Sequence, residues 1–250
     1  MKKIVLIPSR LQSERLPEKP LKLIGNKTMI NLVYEAAIKS VADKTVIATD
    51  SELIFNEVVN FGGDVQMTNA DHTNGTERIY EASLNLGLND NDVVINLQGD
   101  EPFTDPNDIN QIFNLFQDDK VEMVSMFSDV NDKRDLVDPN KVKVVLQDSL
   151  AQNFYRNEIE PNKSSFIHLG IYGFKFSTLE TIVNLPRSEN EIKMRLEQMR
   201  ALDNDIPIHM IKSNAKMHLG IDTPADLKLA NELIKNCLLY TSPSPRDGTS

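Results

Sequence analysis

The sequence predicts an α/β protein built on a doubly wound sheet, and three observations carry that reading. Apolar runs alternate with amphipathic stretches in βαβα order along the chain. The run Val93-Val-Ile-Asn-Leu97 is apolar enough to be covered on both faces, as strands of a parallel sheet are. It stops at Gly99 and Pro102, which delivers Asp100 to the carboxyl end of a strand, the edge of an open α/β sheet where ligands bind.

The elements follow in order. Ile4 to Ile7 form the first strand, and Thr28 to Ser40 a helix with Ile30, Val33, Tyr34, Ala37 and Ile38 on one face. Thr45 to Ala48 gives a second strand, followed by a helix from Glu52 to Phe61 that Gly62 caps, and Val65 to Met67 a short third strand. A helix from Thr76 to Leu86 ends at Gly87, before the Val93 strand. Asp105 is placed to cap a helix with Pro106 in its first turn. Glu122 to Phe127 and Val142 to Leu146 read as strands, with Met123 and Met126 filling the core. Asn153 to Phe176 carries aromatics in alternation and reads as further strands. Ser188-Glu-Asn-Glu191 has the spacing of a capping box and opens a long helix to Asp203, with Ile192, Leu196, Met199 and Leu202 as its core stripe. A strand from Ile206 to Ile211 and a helix starting at Pro224 complete a single domain over residues 1–238. The remaining residues, 239–250, are Ser/Pro-rich without an apolar period and are expected to be a disordered tail foreign to the fold.

Composition narrows the function classes. With 40% hydrophobic and 26% charged residues the chain has the makings of a globule. A formal charge of -10 argues against a nucleic-acid partner, while a local cluster of cations still suffices to hold a nucleotide. Cys237 is the sole cysteine, so an internal disulfide and a thiolate metal cage are excluded and a reducing compartment is favoured. No run reaches membrane-spanning length and no apolar leader precedes the first strand, so a cytoplasmic protein without a membrane partner is expected.

The chemistry gathers after the first strand. The loop from Pro8 to Pro20 carries Arg10, Arg15 and Lys19 and matches neither a P-loop nor a G-x-G-x-x-G cradle, so phosphate would be met by guanidinium forks and an ammonium. A carboxylate at Asp100, with such cations elsewhere, suits a hard ion such as Mg²⁺ shared with a nucleotide. Each residue also has a plainer use. The basic loop can be merely solvated, Asp222 can cap the helix that begins at Pro224, His168 can be a hydrogen-bonded core residue, and Glu197 and Gln198 can be the wet face of the long helix.

The same loop resembles the signature I-P-A-R-x-x-S-x-R-L-P-x-K-P-L of the sugar-acid cytidylyltransferases. Five more stretches agree with that family in order: Asn69-Ala-Asp-His-Thr-Asn-Gly-Thr-Glu-Arg78, Asn96-Leu-Gln-Gly-Asp-Glu-Pro102, His168-Leu-Gly-Ile-Tyr-Gly173, Leu196-Glu-Gln-Met-Arg-Ala-Leu202 and Gly220-Ile-Asp-Thr-Pro224. The likeness runs from Lys2 to Leu233 and is narrowest for members that use 3-deoxy-manno-octulosonate. It implies a Rossmann-like nucleotide-diphospho-sugar transferase fold with a mixed, mostly parallel sheet. It also implies a homodimer and Mg²⁺-dependent transfer of CMP from CTP to the sugar acid, with release of pyrophosphate, for lipopolysaccharide assembly. Carried over by residue, Pro8, Arg10, Arg15 and Lys19 would meet the nucleotide, Asn74 and Gly75 its base and ribose, and Gln98 both nucleotide and sugar. Asp100 and Asp222 would ligate Mg²⁺ and, with Arg10 and Lys19, form the catalytic set. Arg156, His168, Tyr172, Glu197 and Gln198 would line the sugar pocket.

The pattern also departs from the family. Glu18 stands where glycine is frequent, the S-R-x-x-I-P motif is loosened around Arg156, and the segment between Pro161 and His168 is short. These changes keep two alternatives open: the same reaction on an 8-amino analogue or a nonulosonate, and a non-catalytic nucleotide binder of the same fold. The presence of both Asp100 and Asp222 speaks against the second.

Overall fold

The apolar run near the start makes β1 (Lys3–Ser9), with Ile4 and Leu6 on one face of the sheet and Val5 and Ile7 on the other. The structure, a computed structural model, describes residues 1–156, 165–215 and 217–241, with side chains to residue 235. A hairpin of β2 (Leu23–Ile24) and β3 (Lys27–Thr28) leads into α1 (Met29–Ala37), β4 (Lys44–Thr49), α2 (Glu52–Asn60), β5 (Val65–Met67), α3 (Gly75–Asn85) and β6 (Val93–Asn96). Then come α4 (Pro106–Leu115), β7 (Met123–Ser128), β8 (Lys143–Gln147), β9 (Leu150–Tyr155), β10 (Ser165–Lys175) and α5 (Phe176–Asn184). The short helices α6 (Glu189–Met194) and α7 (Met199–Leu202), then β11 (Ile208–Lys212) and α8 (Pro224–Thr241), finish the chain.

The main sheet is nine-stranded, in the order β5-β4-β1-β6-β10-β7-β11-β9-β8. Its parallel pairings join β5, β4, β1 and β6 and, separately, β7 with β11. The pairings of β10 and β9 are antiparallel, so the mixed sheet has a larger antiparallel share than the sequence predicts. One core lies between the sheet and α1, α2 and α4, and includes Ile30, Ile54, Val58, Ile112 and Phe113. The other lies against α3, α5 and α7, around Ile79, Leu179 and Met199. A third, smaller cluster of Leu16, Ile24, Met29, Ile221 and Ala230 docks α8 on the β2–β3 hairpin, where Asn231 also accepts from the Gly25 amide at 2.9 Å.

Several local expectations hold for the reasons given. Asp105 caps α4 through the Asn107 amide, Ser188 and Glu191 form the capping box of α6, and Gly62 and Gly87 end their helices at φ 79° and 62°. Met123 and Met126 are buried. One expectation fails. The long helix from Ser188 to Asp203 is broken: Arg195 adopts a left-handed conformation (φ 56°) and separates α6 from α7, leaving Ile192 exposed instead of in the core. Helix α5 occupies a stretch without a predicted element, and α8 runs from Pro224 to Thr241. The side chain of Cys237 and residues 242–250 of the expected tail lie outside the described residues, as does most of the short segment before His168. Among the described residues, no helix is long and apolar enough to cross a membrane.

Gly173 on β10 is required by packing. A Cβ there would run into Ile112 Cγ2 and come within 2.9 Å of Phe116. Gly173→Ala is therefore expected to destabilise the fold by about 1–3 kcal/mol through overpacking, seen as a lower urea midpoint with an unchanged slope.

Candidate active site

The strand ends that define the site are β1 and β6, which run side by side in parallel. Each delivers a loop at its carboxyl end, and the two are tightly apposed: a Cβ on Gly99 would lie 3.1 Å from the Pro8 carbonyl oxygen. The third contributor arrives from the far end of the sequence. The Ile221 amide donates to the Asp100 carbonyl at 2.9 Å, and buried Ile221 anchors that approach in the small cluster under α8. This places Asp222 beside Asp100, with Lys19 between them, donating to Asp100 Oδ2 at 2.6 Å and Asp222 Oδ1 at 3.0 Å. Arg15 adds a contact to Asp222 Oδ2 at 3.1 Å. Burial alone would lower the Lys19 pKa, but the two carboxylates outweigh it and raise it, so the ammonium stays charged.

Asp222 does not serve as the helix cap. The Asp226 carboxylate takes the Asp222 and Thr223 amides, and the Thr223 hydroxyl accepts from the Asp226 amide at 3.3 Å. The carboxylate of Asp222 is left for the cations. Beside it, Glu101 is pushed up to about 8 by burial and by the neighbouring charges of Asp100, Asp222 and Asp108, so it holds a proton at neutral pH.

Two cavities meet at this point. One, of about 930 Å³, is walled by Pro8, Arg10, Arg15, Glu18 and Lys19. The other, of about 900 Å³, reaches past Glu101 to Arg156, His168, Tyr172 and Gln198. Arg15, Asn74, Gly75, Gln98, Asp100, Glu197 and Asp222 border both. Every residue singled out from the sequence thus lines one cavity or the seam between them. Asn74 reaches the seam because it caps α3, accepting from the Glu77 amide at 2.8 Å, and Gly75 allows the helix to approach Pro8. Glu197 reaches it because of the break at Arg195: the chain turns, Leu196 is buried, and the Glu197 carboxylate accepts from the Thr76 hydroxyl at 2.8 Å. Burial raises the Glu197 pKa, although the Thr76 bond opposes the shift. Glu197 and Gln198 therefore do not continue the expected helix: Gln198 is buried, while Glu197 stays exposed at the seam.

His168 and Tyr172 are aimed by an irregularity in β10. The register to β7 shifts between Leu169 and Tyr172, and buried Ser125 holds the distorted backbone by donating to the Ile171 carbonyl at 2.9 Å. With that proton committed, His168 Nε2–H donates to Ser125 Oγ at 2.9 Å, the tautomer that this network assigns. His168 is thus both hydrogen-bonded in the core, the plainer use, and a cavity-lining residue. Burial pushes its pKa down to about 3, which keeps it neutral, and pushes the Tyr172 phenol up.

The sequence reading missed Glu101, although it directly follows Asp100, and the salt-bridged lysines of the second cavity, Lys141 with Asp135 and Lys212 with Asp129. These lysines lie outside every motif, and only the sheet order brings them to the wall.

Comparison with known proteins agrees with this geometry. The cytidylyltransferase family profile matches residues 4–242. The chain is 35% identical to a 3-deoxy-manno-octulosonate cytidylyltransferase of Flavobacterium johnsoniae, covering 94% of this chain and 100% of that one. It is 38% identical to the protein of the same name from Bacteroides thetaiotaomicron, covering 94% and 99%. A solved CMP:2-keto-3-deoxy-manno-octonic acid synthetase complexed with CTP superposes with a TM-score of 0.87 at 31% identity, covering 94% of this chain and 99% of that one. A cytidylyltransferase from Leptospira borgpetersenii, 16% identical with a TM-score of 0.62 and covering 99% of this chain and 100% of that one, shares the fold.

A histidine that burial keeps neutral binds fewer protons folded than unfolded. Its contribution to stability is therefore lost as pH falls below the unfolded value of 6.5 towards about 3. By about pH 5 the loss from His168 amounts to about 2 kcal/mol. Urea unfolding followed against pH should show a shallower acid-side slope for His168→Gln than for the parent between about pH 6.5 and 4.5. Parallel curves would show that the imidazole is protonated in the folded protein.

Proposed function

The chain belongs to the cytidylyltransferase family, within its 3-deoxy-manno-octulosonate members, and we propose that it transfers CMP from CTP to 3-deoxy-D-manno-octulosonate with release of pyrophosphate. The product is an activated sugar acid for lipopolysaccharide assembly. The observation that carries this reading is the Lys19 ammonium bridging Asp100 and Asp222 at the seam of two cavities. Such a seam is where a nucleotide and a second anion have to touch for a phosphoryl group to pass between them.

In this reading Arg10, Arg15 and Lys19 hold the triphosphate, with Pro8 against the nucleotide and Asn74 and Gly75 against base and ribose. Gln98 sits between the substrates. Arg156 pairs with the sugar carboxylate, and His168, Tyr172, Glu197 and Gln198 receive the sugar. Neutral His168 adds no charge to the cavity that takes an acid. The anomeric hydroxyl attacks the α-phosphorus of CTP, its bond to phosphorus forms as the bond to the bridging oxygen breaks, pyrophosphate leaves with the electron pair, and the hydroxyl proton is released to water. Both reactants are anionic, so the basic side chains serve to offset their repulsion and to align attack with departure.

The donors present fit Mg²⁺. Asp100 and Asp222 offer hard oxygens already drawn to one cation, and among the described residues no cluster of three or more metal-ligating side chains exists. That sparse set is characteristic of an ion completed by substrate phosphates and water. When bound there, Mg²⁺ supplies positive charge against the phosphoryl oxygens. The same family resemblance supports a cytoplasmic homodimer.

Asp100→Asn is expected to fold normally and to lose at least about 100-fold in kcat, measured by pyrophosphate release from CTP with Mg²⁺ and the octulosonate. Undiminished turnover would remove Asp100 from the mechanism, and release with a nonulosonate or the 8-amino analogue but not the octulosonate would reassign the substrate. Glu18 provides a second test. It occupies the left-handed region at φ 52°, ψ 37° on the nucleotide-cavity wall, where an L-residue costs about 1–2 kcal/mol. Glu18→Gly is expected to lower the KM for CTP roughly 2- to 5-fold by removing a negative charge from that wall, with thermal stability equal or higher.

A further inference from the structure

Lys143 at the start of β8 has no exposed surface, and its ammonium meets no carboxylate among the described residues. Among the described residues it donates to two backbone carbonyls, Asp138 at 3.0 Å and Arg156 at 2.6 Å. A buried ammonium satisfied by neutral acceptors carries a large desolvation cost, which calls for a return elsewhere.

The position of Lys143 supplies that return. In the sheet it is paired with Tyr155 on β9 and Ile167 on β10, so it is flanked by the residues immediately preceding Arg156 and His168. The carbonyl of Val142, just before it, accepts from the His168 amide at 2.9 Å. Arg156 lies one residue past the end of β9, where the strand ladder no longer fixes the backbone. The ammonium takes over that task. Its second bond ties down Asp138, which lines the same cavity. Among the described residues the guanidinium so placed is under-satisfied: Arg156 Nε is buried without an acceptor, and Nη2 reaches the Arg195 carbonyl at 3.3 Å. That is the condition of a fork set for an anion.

Building on the proposed function, we infer that Lys143 is a positioning residue for the acidic substrate: by clamping the Arg156 and Asp138 carbonyls it aims the Arg156 guanidinium at the sugar carboxylate. It touches neither substrate and leaves the nucleotide cavity alone.

The test is steady-state kinetics on the whole enzyme with Mg²⁺, varying CTP and the octulosonate separately, for Lys143→Met and for the milder Lys143→Gln, which keeps one N–H donor. The KM for the sugar acid should rise roughly 10-fold or more in Lys143→Met and less in Lys143→Gln, while the KM for CTP stays within about 2-fold. Adding Lys143→Met to Arg156→Gln should cost less than about 2-fold further in sugar-acid KM, because the two changes disable one device. An active parent whose folded variants keep the parental sugar-acid KM, or raise both KM values together, overturns the inference alone. A parent that releases no pyrophosphate with any sugar acid overturns the proposed function, and this inference falls with it.

Discussion

Two carboxylates from distant parts of the chain cannot lie side by side in a partly closed site without a cation between them, and Lys19 is that cation. Its hydrogen bonds to Asp100 and Asp222 are short, and the contact joins residues 81 and 203 positions apart. The geometry is imposed by apolar packing underneath. Leu16, Ile221 and Ala230 share a buried cluster, which fixes the basic loop and the Asp222 turn to the same patch of α8. The core pays for bringing like charges together, and the ammonium keeps the arrangement neutral enough to persist until a competing anion or cation arrives.

The two cavities acquire different character from the elements that wall them. One is walled by long cations set on one loop after β1, with Arg10 exposed at its rim. The other is built largely on strands, and its polar groups have fixed partners: buried Ser125 bonds His168, Thr76 bonds Glu197, and buried Lys143 holds the Arg156 backbone. Fixed hydrogen-bonding groups discriminate between ligands more sharply than exposed charges do, since an unmatched buried polar group is costly.

Local rules are broken where the site requires it. Arg195 and Glu18 both take left-handed conformations without being glycine. The first break turns Glu197 and Gln198 off a helix and into the seam, and burial of Leu196 in the adjoining core compensates it. The second lies in the basic loop just before Lys19, where the Glu18 carbonyl accepts from the Leu21 amide at 3.0 Å and its carboxylate lies 3.8 Å from Lys22. The distortion in β10 has the same logic: two residues of lost register turn His168 and Tyr172 towards one cavity.

The sequence by itself determined the alternation of strands and helices, because hydrophobic period and capping residues such as Asp105 and Ser188 act within a few positions. It also determined the family, through motifs that survive in order, and singled out residues that the structure brings to the two cavities. It left unreadable the break at Arg195, since Lys193-Met-Arg-Leu-Glu-Gln favours a helix and the stop comes from Leu196 finding a core. Lys143 was equally invisible, a lysine in an alternating strand whose burial depends on β9 and β10 closing over it. Only the tertiary structure decided how Lys19, Asp100 and Asp222 meet. Contacts between such distant residues are set by the packing of whole elements, and no local pattern encodes them.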